Sequence, residues 1–192
     1  MMIRDSKELA RAVRIHTAKT LSRTRDSHIG GGYSSADILA VLYARILKLT
    51  PENLSDPARN LFLLSKGHIA ATYYTTLAYA GLIPMEDLEL HLMDGGNYAG
   101  HTRRDVVPGV EMSAGSLGHG AGIGAGMAYA KQLEGLDGRV FVLMGDGECN
   151  EGSVWEAAML AARFSLKNLV LIVDHNHLQA YGSDEQVMNM GD

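Results

Sequence analysis

Two short apolar runs, Arg139-Val-Phe-Val-Leu-Met144 and Leu169-Val-Leu-Ile-Val173, constrain the fold most. Each has strand length and leads into a loop rich in Gly, Asp or Asn. Between them, Ser153 to Phe164 reads as a helix. A strand, a crossover helix and a strand imply a parallel sheet with a right-handed connection. The loops after the two strands, Gly145-Asp146-Gly147 and Asp174-His175-Asn176-His177-Leu178, then lie at the carboxyl edge of neighbouring strands. That is the edge at which open α/β sheets bind ligands.

The rest of the chain fits an α/β frame. Ser6 to Thr24 reads as a helix with Leu9, Val13 and Leu21 on its apolar stripe. His28-Ile-Gly-Gly-Gly-Tyr33 breaks it, and Ser34 or Ser35 caps a helix through Leu47. Leu61 to Leu64 reads as a short buried strand, Ser65-Lys-Gly-His68 as a tight turn, and Ile69 to Ala80 as a helix closed by Gly81. A short helix begins at Pro84 to Asp87. Gly95 to Gly118 carries little regular signal, and a loop of that length in a compact domain is either functional or packed on a partner. Gly120 to Gln132 is a helix of small residues. No confident element follows Gln179.

With 192 residues, 46% of them hydrophobic and 20% charged, one ordinary globular domain over residues 1–192 is expected. A formal net charge of -5 argues against a general nucleic-acid binder. No apolar run reaches the ~18 residues of a membrane span. The N-terminus reads as an amphipathic helix, not a targeting peptide. The lone cysteine, Cys149, allows no internal disulfide, so a reducing, cytoplasmic setting is expected.

The chemistry is concentrated in the two strand-end loops. A hard cation such as Mg²⁺ takes oxygen ligands. Asp146 can give a carboxylate, Asn176 an amide oxygen and Leu178 a backbone carbonyl, with diphosphate oxygens completing the shell. Such a cation neutralises a diphosphate without a cluster of lysines. Gly145 and Gly147 let the backbone approach a ligand closely. A three-residue Gly-Asp-Gly by itself more often marks a turn. Here the Asp and the Asn stand thirty residues apart with a whole crossover between them.

In this respect the chain resembles the thiamine-diphosphate enzymes, and most of all the transketolase family. The resemblance rests on Gly145-Asp-Gly-Glu-Cys-Asn-Glu-Gly152, Ser65-Lys-Gly-His68, Gly100-His101, and Pro108-Gly-Val-Glu111 through Gly115-Ser-Leu-Gly118, in that family's order. It runs from about His28 to Gly182. It implies a doubly wound, mostly parallel sheet with helices on both faces, and thiamine diphosphate held with Mg²⁺ (or Ca²⁺ or Mn²⁺).

The resemblance also implies roles. His68 contacts the diphosphate, at a helix N-terminus that attracts anions. His28 and His101 face the reacting carbon and sugar hydroxyls, where imidazoles steady an alkoxide and move protons. Gly115, Ser116 and Leu117 line the pyrimidine and central part of the cofactor. Gly147 and Asn176 belong to the cofactor loop. Glu151 and Glu156 match acidic positions near a dimer interface, where they link the two cofactor sites, and Glu151 is counted among the cofactor-binding residues. Taken alone, each histidine reads as a capping or surface residue. Glycines 118–126 are a poor dinucleotide fingerprint, because Glu111-Met-Ser-Ala114 is a weak strand; close helix packing at a subunit interface suits them better. Trp155 and the methionines are assigned to core or interface packing.

The family's cofactor chemistry needs a glutamate from a pyrimidine-binding domain, which these residues do not contain. That glutamate comes from another chain or from sequence absent here, and the resemblance to split transketolases implies a C-terminal transketolase subunit as partner, in a homodimer or heterotetramer, with sugar phosphates as substrates. The family's N-terminal half normally continues past this endpoint, so the domain is expected to be cut short or to lack a disordered tail there, and a further diphosphate-binding His to be lost with it. The reaction implied is transfer of a two-carbon ketol unit from a ketose to an aldose. Ile29, Thr102-Arg103-Arg104 and His119 depart from the common pattern and leave the sugar open. Two other readings stay open: a 1-deoxyxylulose-5-phosphate synthase-like or other 2-oxoacid decarboxylating enzyme, and a non-catalytic scaffold subunit.

Overall fold

The computed structural model describes residues 2–189 and 191. The chain folds into two compact units, one from residues 1–59 with 67–113 and one from 60–66 with 114–192.

The second unit carries the sheet. Strands β1 (Leu61–Leu64), β2 (Val140–Gly145) and β3 (Leu169–Asp174) are parallel, in the order β1-β2-β3. The register pairs Leu64 with Leu143 and Gly145 with Asp174, so β2 and β3 end level with one another. This is the α/β arrangement the crossover pattern implies. Five of the six β2 residues are buried, whereas β3 is largely half-buried. Helix α4 (His119–Glu134) lies on the sheet. A side chain at Gly124 would stand 2.4 Å from Val142 Cγ2, so glycine there sets the close approach of helix to strand. Helix α5 (Gly152–Arg163) makes the β2-to-β3 crossover.

Past β3 the chain forms a two-strand antiparallel pair, β4 (Leu178–Gln179) with β5 (Gly182–Ser183), and a one-turn helix α6 (Asp184–Val187), of which β5 and α6 lie beyond Gln179, where no confident element is expected. A capping box between Ser183 and Gln186 starts that turn.

The first unit is helical. In helix α1 (Ser6–Thr24), Leu9, Val13 and Leu21 are buried as the stripe predicts, and Asp5 accepts from Lys7 N and Glu8 N at the N-terminus. Arg25 ends the helix with a φ of 57°. Helix α2 (Ile29–Val41) corrects the sequence reading: it starts five or six residues before the expected Ser34 or Ser35 cap, with His28 as its N-cap, and takes the three glycines inside. Tight packing outweighs glycine's poor helix propensity here. A side chain at Gly32 would sit 2.2 Å from Thr72 Oγ1 of the neighbouring helix α3 (Ala70–Tyr79). The helical course then continues to Leu47 through a π-turn over Leu42–Ile46. α3 ends as expected at Gly81, φ 79°, with Gly81 N bonding Ala78 O and Leu82 N bonding Leu77 O. Among the described residues no helix is long and apolar enough to cross a membrane.

Candidate cofactor and metal site

In the sheet unit, the level ends of β2 and β3 bring the two strand-end loops together. Asp146 N bonds Asp174 O at 3.3 Å. The Asp146 carboxylate spans both loops, accepting from Gly147 N (2.9 Å) and His177 N (2.7 Å). To present that amide, His177 takes a left-handed φ of 61°. Asn176 is next to it, its Oδ1 accepting from Leu178 N at 2.9 Å. The structure thus brings Asp146, Gly147, Asn176 and Leu178 to one edge.

The donors there are hard oxygens. Each Asp146 oxygen receives one N–H and keeps acceptor capacity, since a carboxylate offers about four lone-pair sites. With the Asn176 amide oxygen and the Leu178 carbonyl, the set fits Mg²⁺ or a similar oxygen-seeking cation. A second trio, His175, His177 and Asp184, brings donor atoms within 4.8 Å of one another, with both imidazoles exposed. Its nitrogen-rich composition suits a different class of metal.

Gly147 has a packing reason of its own: a side chain there would meet Gln179 Cγ at 2.9 Å. At Gly145 the nearest atom is Lys66 Nζ, 3.9 Å away.

Three residues that the sequence reading passed over hold this edge in place. Lys66 and Asp174 form a buried ion pair, Nζ to Oδ2 2.8 Å, with side chains 3% and 7% exposed. Glu148 is buried and accepts from Ser65 Oγ, Gly118 N (2.7 Å) and Gly145 N (3.2 Å). Ser65 Oγ in turn accepts from Gly120 N at 3.1 Å. One carboxylate therefore ties the ends of β1 and β2 to the N-terminus of α4. Gly118 takes a φ of 83°, and a side chain there would meet Glu151 Cβ at 2.7 Å. Gly115, Ser116 and Leu117, just before it, are exposed, as is Glu151.

Helices α4 and α5 leave an apolar groove of about 450 Å³ between them, lined among others by Gly122, Ile123, Glu156 and Leu160. Trp155 and Met159 on α5 are 51% and 66% exposed, so neither is a core residue of this chain. Trp155 Nε1 donates to Cys149 O at 2.9 Å.

In the helical unit, the three singled-out histidines converge. The ring of His28 lies 5.2 Å from that of His68 and 6.5 Å from that of His101. His28 sits at the start of α2, and His68 lies in a 3-10 turn (Gly67–Ile69) leading into α3. His101 belongs to the long irregular segment, which Tyr73 Oη anchors by donating to Gly109 O at 2.9 Å. The Asp26 carboxylate accepts from His28 Nδ1 at 3.0 Å. Burial pushes the Asp26 carboxyl up, but the hydrogen bonds from His28 and Ser27 N, together with the nearby imidazoles of His28 and His91, hold it below the usual range.

An α/β unit with an acidic and an amide oxygen donor at adjoining strand ends belongs to the class of parallel-sheet domains whose carboxyl edge has the donors to accommodate a cation and an anionic ligand. Comparison with known proteins narrows the class. Residues 5–190 match the family described as transketolase, thiamine diphosphate binding domain. The chain is 41% identical over 161 residues to one subunit of the apulose-4-phosphate transketolase of Actinobacillus succinogenes, covering 84% of this chain and 58% of that one. It is 34% identical over 183 residues to a 6-deoxy-6-sulfo-D-fructose transketolase subunit of Clostridium sp., covering 95% and 66%. Transketolase from Leishmania mexicana superposes with a TM-score of 0.89 at 31% identity, over 97% of this chain and 29% of that one. The chain belongs to the transketolase family and comprises its thiamine-diphosphate-binding domain. It spans about three-fifths of the length of the curated subunits it matches.

Proposed function

We propose that this chain is the N-terminal, cofactor-holding part of a split transketolase, moving a two-carbon ketol unit from a ketose phosphate to an aldose phosphate. The observation that carries this reading is the pairing of Asp146 with the Asn176–Leu178 loop at the level ends of β2 and β3, where Asp146 Oδ2 already accepts from His177 N at 2.7 Å. Two of the relatives are named as transketolase subunits, which supports a partner that completes the enzyme. The exposed apolar side chains of α5 and the groove beside it are consistent with such a partner, a C-terminal subunit carrying the pyrimidine-binding domain. The free thiol of Cys149 supports a reducing, cytoplasmic setting.

In this reading Asp146, Asn176 and the Leu178 carbonyl hold Mg²⁺, and His68 meets the diphosphate. Thiamine diphosphate supplies the electron sink for breaking and making the carbon–carbon bond beside a carbonyl. The chain's own part is to bind, orient and move protons. His28 and His101 hydrogen-bond the substrate oxygens and shuttle protons near neutral pH. Gly115 to Leu117 offer backbone and one exposed apolar side chain to the middle of the cofactor.

The test is reconstitution. The chain, a C-terminal partner subunit, thiamine diphosphate and Mg²⁺ are mixed with a ketose phosphate and an aldose phosphate. Ketol transfer is expected, with a loss of about 10²-fold or more in His28→Ala and in His101→Ala. A variant that keeps full activity removes its histidine from the mechanism. Carbon dioxide release from pyruvate, in place of ketol transfer, would establish the decarboxylating alternative.

A further inference from the structure

Two buried groups behind His28 belong to none of the roles above. Asp26 follows the left-handed Arg25 that ends α1, and His28 then caps α2. The Asp26 side chain is 11% exposed. Its Oδ1 accepts from Ser27 N at 2.6 Å and from His28 Nδ1 at 3.0 Å. Its Oδ2 faces His91 Nε2 at 3.8 Å. The His91 side chain is 1% exposed, and among the described residues neither ring nitrogen makes a hydrogen bond of normal geometry. A buried imidazole left so is costly, and its surroundings hold it in place against that cost. Arg23 of α1 donates to Leu88 O and Glu89 O, fixing the turn that delivers His91, and the ring of Tyr74 packs edge-on against it at 6.0 Å.

We infer that Asp26 is a positioning residue for His28, backed by His91, and that together they fix His28 as the Nδ1–H tautomer with Nε2 as its working nitrogen. A carboxylate can only accept, so the hydrogen bond at Nδ1 requires the proton there. Neutral His28 then presents a lone pair at Nε2, which fits it to take a proton and return it. His91 closes the far side of the carboxylate with a ring instead of water. Asp26 thus keeps its full charge available to the one imidazole it serves.

The value of this device for ketol transfer rests on the function proposed above, but the tautomer does not. The experiment is ¹⁵N-detected imidazole NMR on the labelled chain alone, with His28→Gln to assign its signals. A His28 protonated at Nδ1 in the wild type, and a shift toward Nε2–H in the isosteric Asp26→Asn, are expected. A wild-type His28 protonated at Nε2, or the same His28 spectrum in Asp26→Asn, would overturn the inference. In the reconstituted enzyme, Asp26→Asn should lower kcat by about 10²-fold with KM for the sugar little changed, and Asp26→Glu should recover part of it. A rise in KM at unchanged kcat would also overturn it. If His28 is locked as Nδ1–H in a chain that shows no ketol transfer, the transketolase reading fails and the positioning stands.

Discussion

Removing the ammonium of Lys66 should be among the most damaging single changes in the sheet unit. Lys66→Met keeps the length of the stem but leaves the Asp174 carboxylate buried without its cation. The two side chains are 3% and 7% exposed and lie 2.8 Å apart, so neither has solvent to fall back on. Breaking one side of a buried pair typically costs about 3–5 kcal/mol, against roughly 5–15 kcal/mol for the stability of a whole domain. Asp174→Leu strands the ammonium and should cost a similar amount. The double variant Lys66→Met/Asp174→Leu removes both charges and should return to within about 1–2 kcal/mol of wild type, because an apolar pair of similar volume needs no desolvation. Urea denaturation of the four proteins, read from midpoints at a shared slope, gives the cycle directly. A loss below about 1 kcal/mol in Lys66→Met would put the pair among surface ion pairs and refute the reasoning.

Glu148→Gln replaces an acceptor-only group that serves Ser65, Gly118 and Gly145 with one that carries donors of its own. At least one buried N–H or O–H is left facing a donor, so a loss of about 1–3 kcal/mol is expected in the same assay, and an unchanged midpoint would contradict it. His91 gives the fold an acid sensitivity. Burial, partly countered by Asp26, holds its pKa below the ordinary 6.5, so the unfolded chain binds a proton that the folded chain refuses. Its contribution is full above the unfolded value and is lost as pH falls through the folded one. Melting temperatures measured between about pH 7 and about pH 5 should therefore fall less in His91→Phe than in wild type, and parallel curves would exclude the effect.

How much of this was legible in the sequence differs from element to element. The strands β2 and β3 could be placed because they are apolar runs around an amphipathic crossover, and their loops could be placed together at one sheet edge because both follow parallel strands. The start of α2 could not. Nothing local favours three consecutive glycines in a helix, and the packing reason for the last of them, Gly32, is a neighbour far along the chain, Thr72. The β4–β5 pair and α6 fell below the reach of periodicity, although the Ser183–Gln186 capping box was readable. Asp146, Asn176, His28, His68 and His101 were singled out by motif. Glu148, the Lys66–Asp174 pair and Asp26–His91 were not, because each acquires its meaning from a contact across tens of residues. Lys66 in a turn and Glu148 in a Gly-Asp-Gly loop carry no sign of burial in the sequence itself.

The central claim is that this chain holds thiamine diphosphate through a cation at Asp146 and Asn176. Calorimetric titration of thiamine diphosphate with Mg²⁺ tests it most directly, on wild type and Asp146→Ala, each with and without the C-terminal partner. Circular dichroism serves as a check that the variant stays folded. Saturable binding by the wild type, tighter with the partner, is the predicted result. Outer-shell changes at metal sites already cost about 10–100-fold, so loss of a direct ligand in Asp146→Ala should weaken binding by at least that much. Equal binding by Asp146→Ala, or no binding by the wild type with the partner present, would contradict the account.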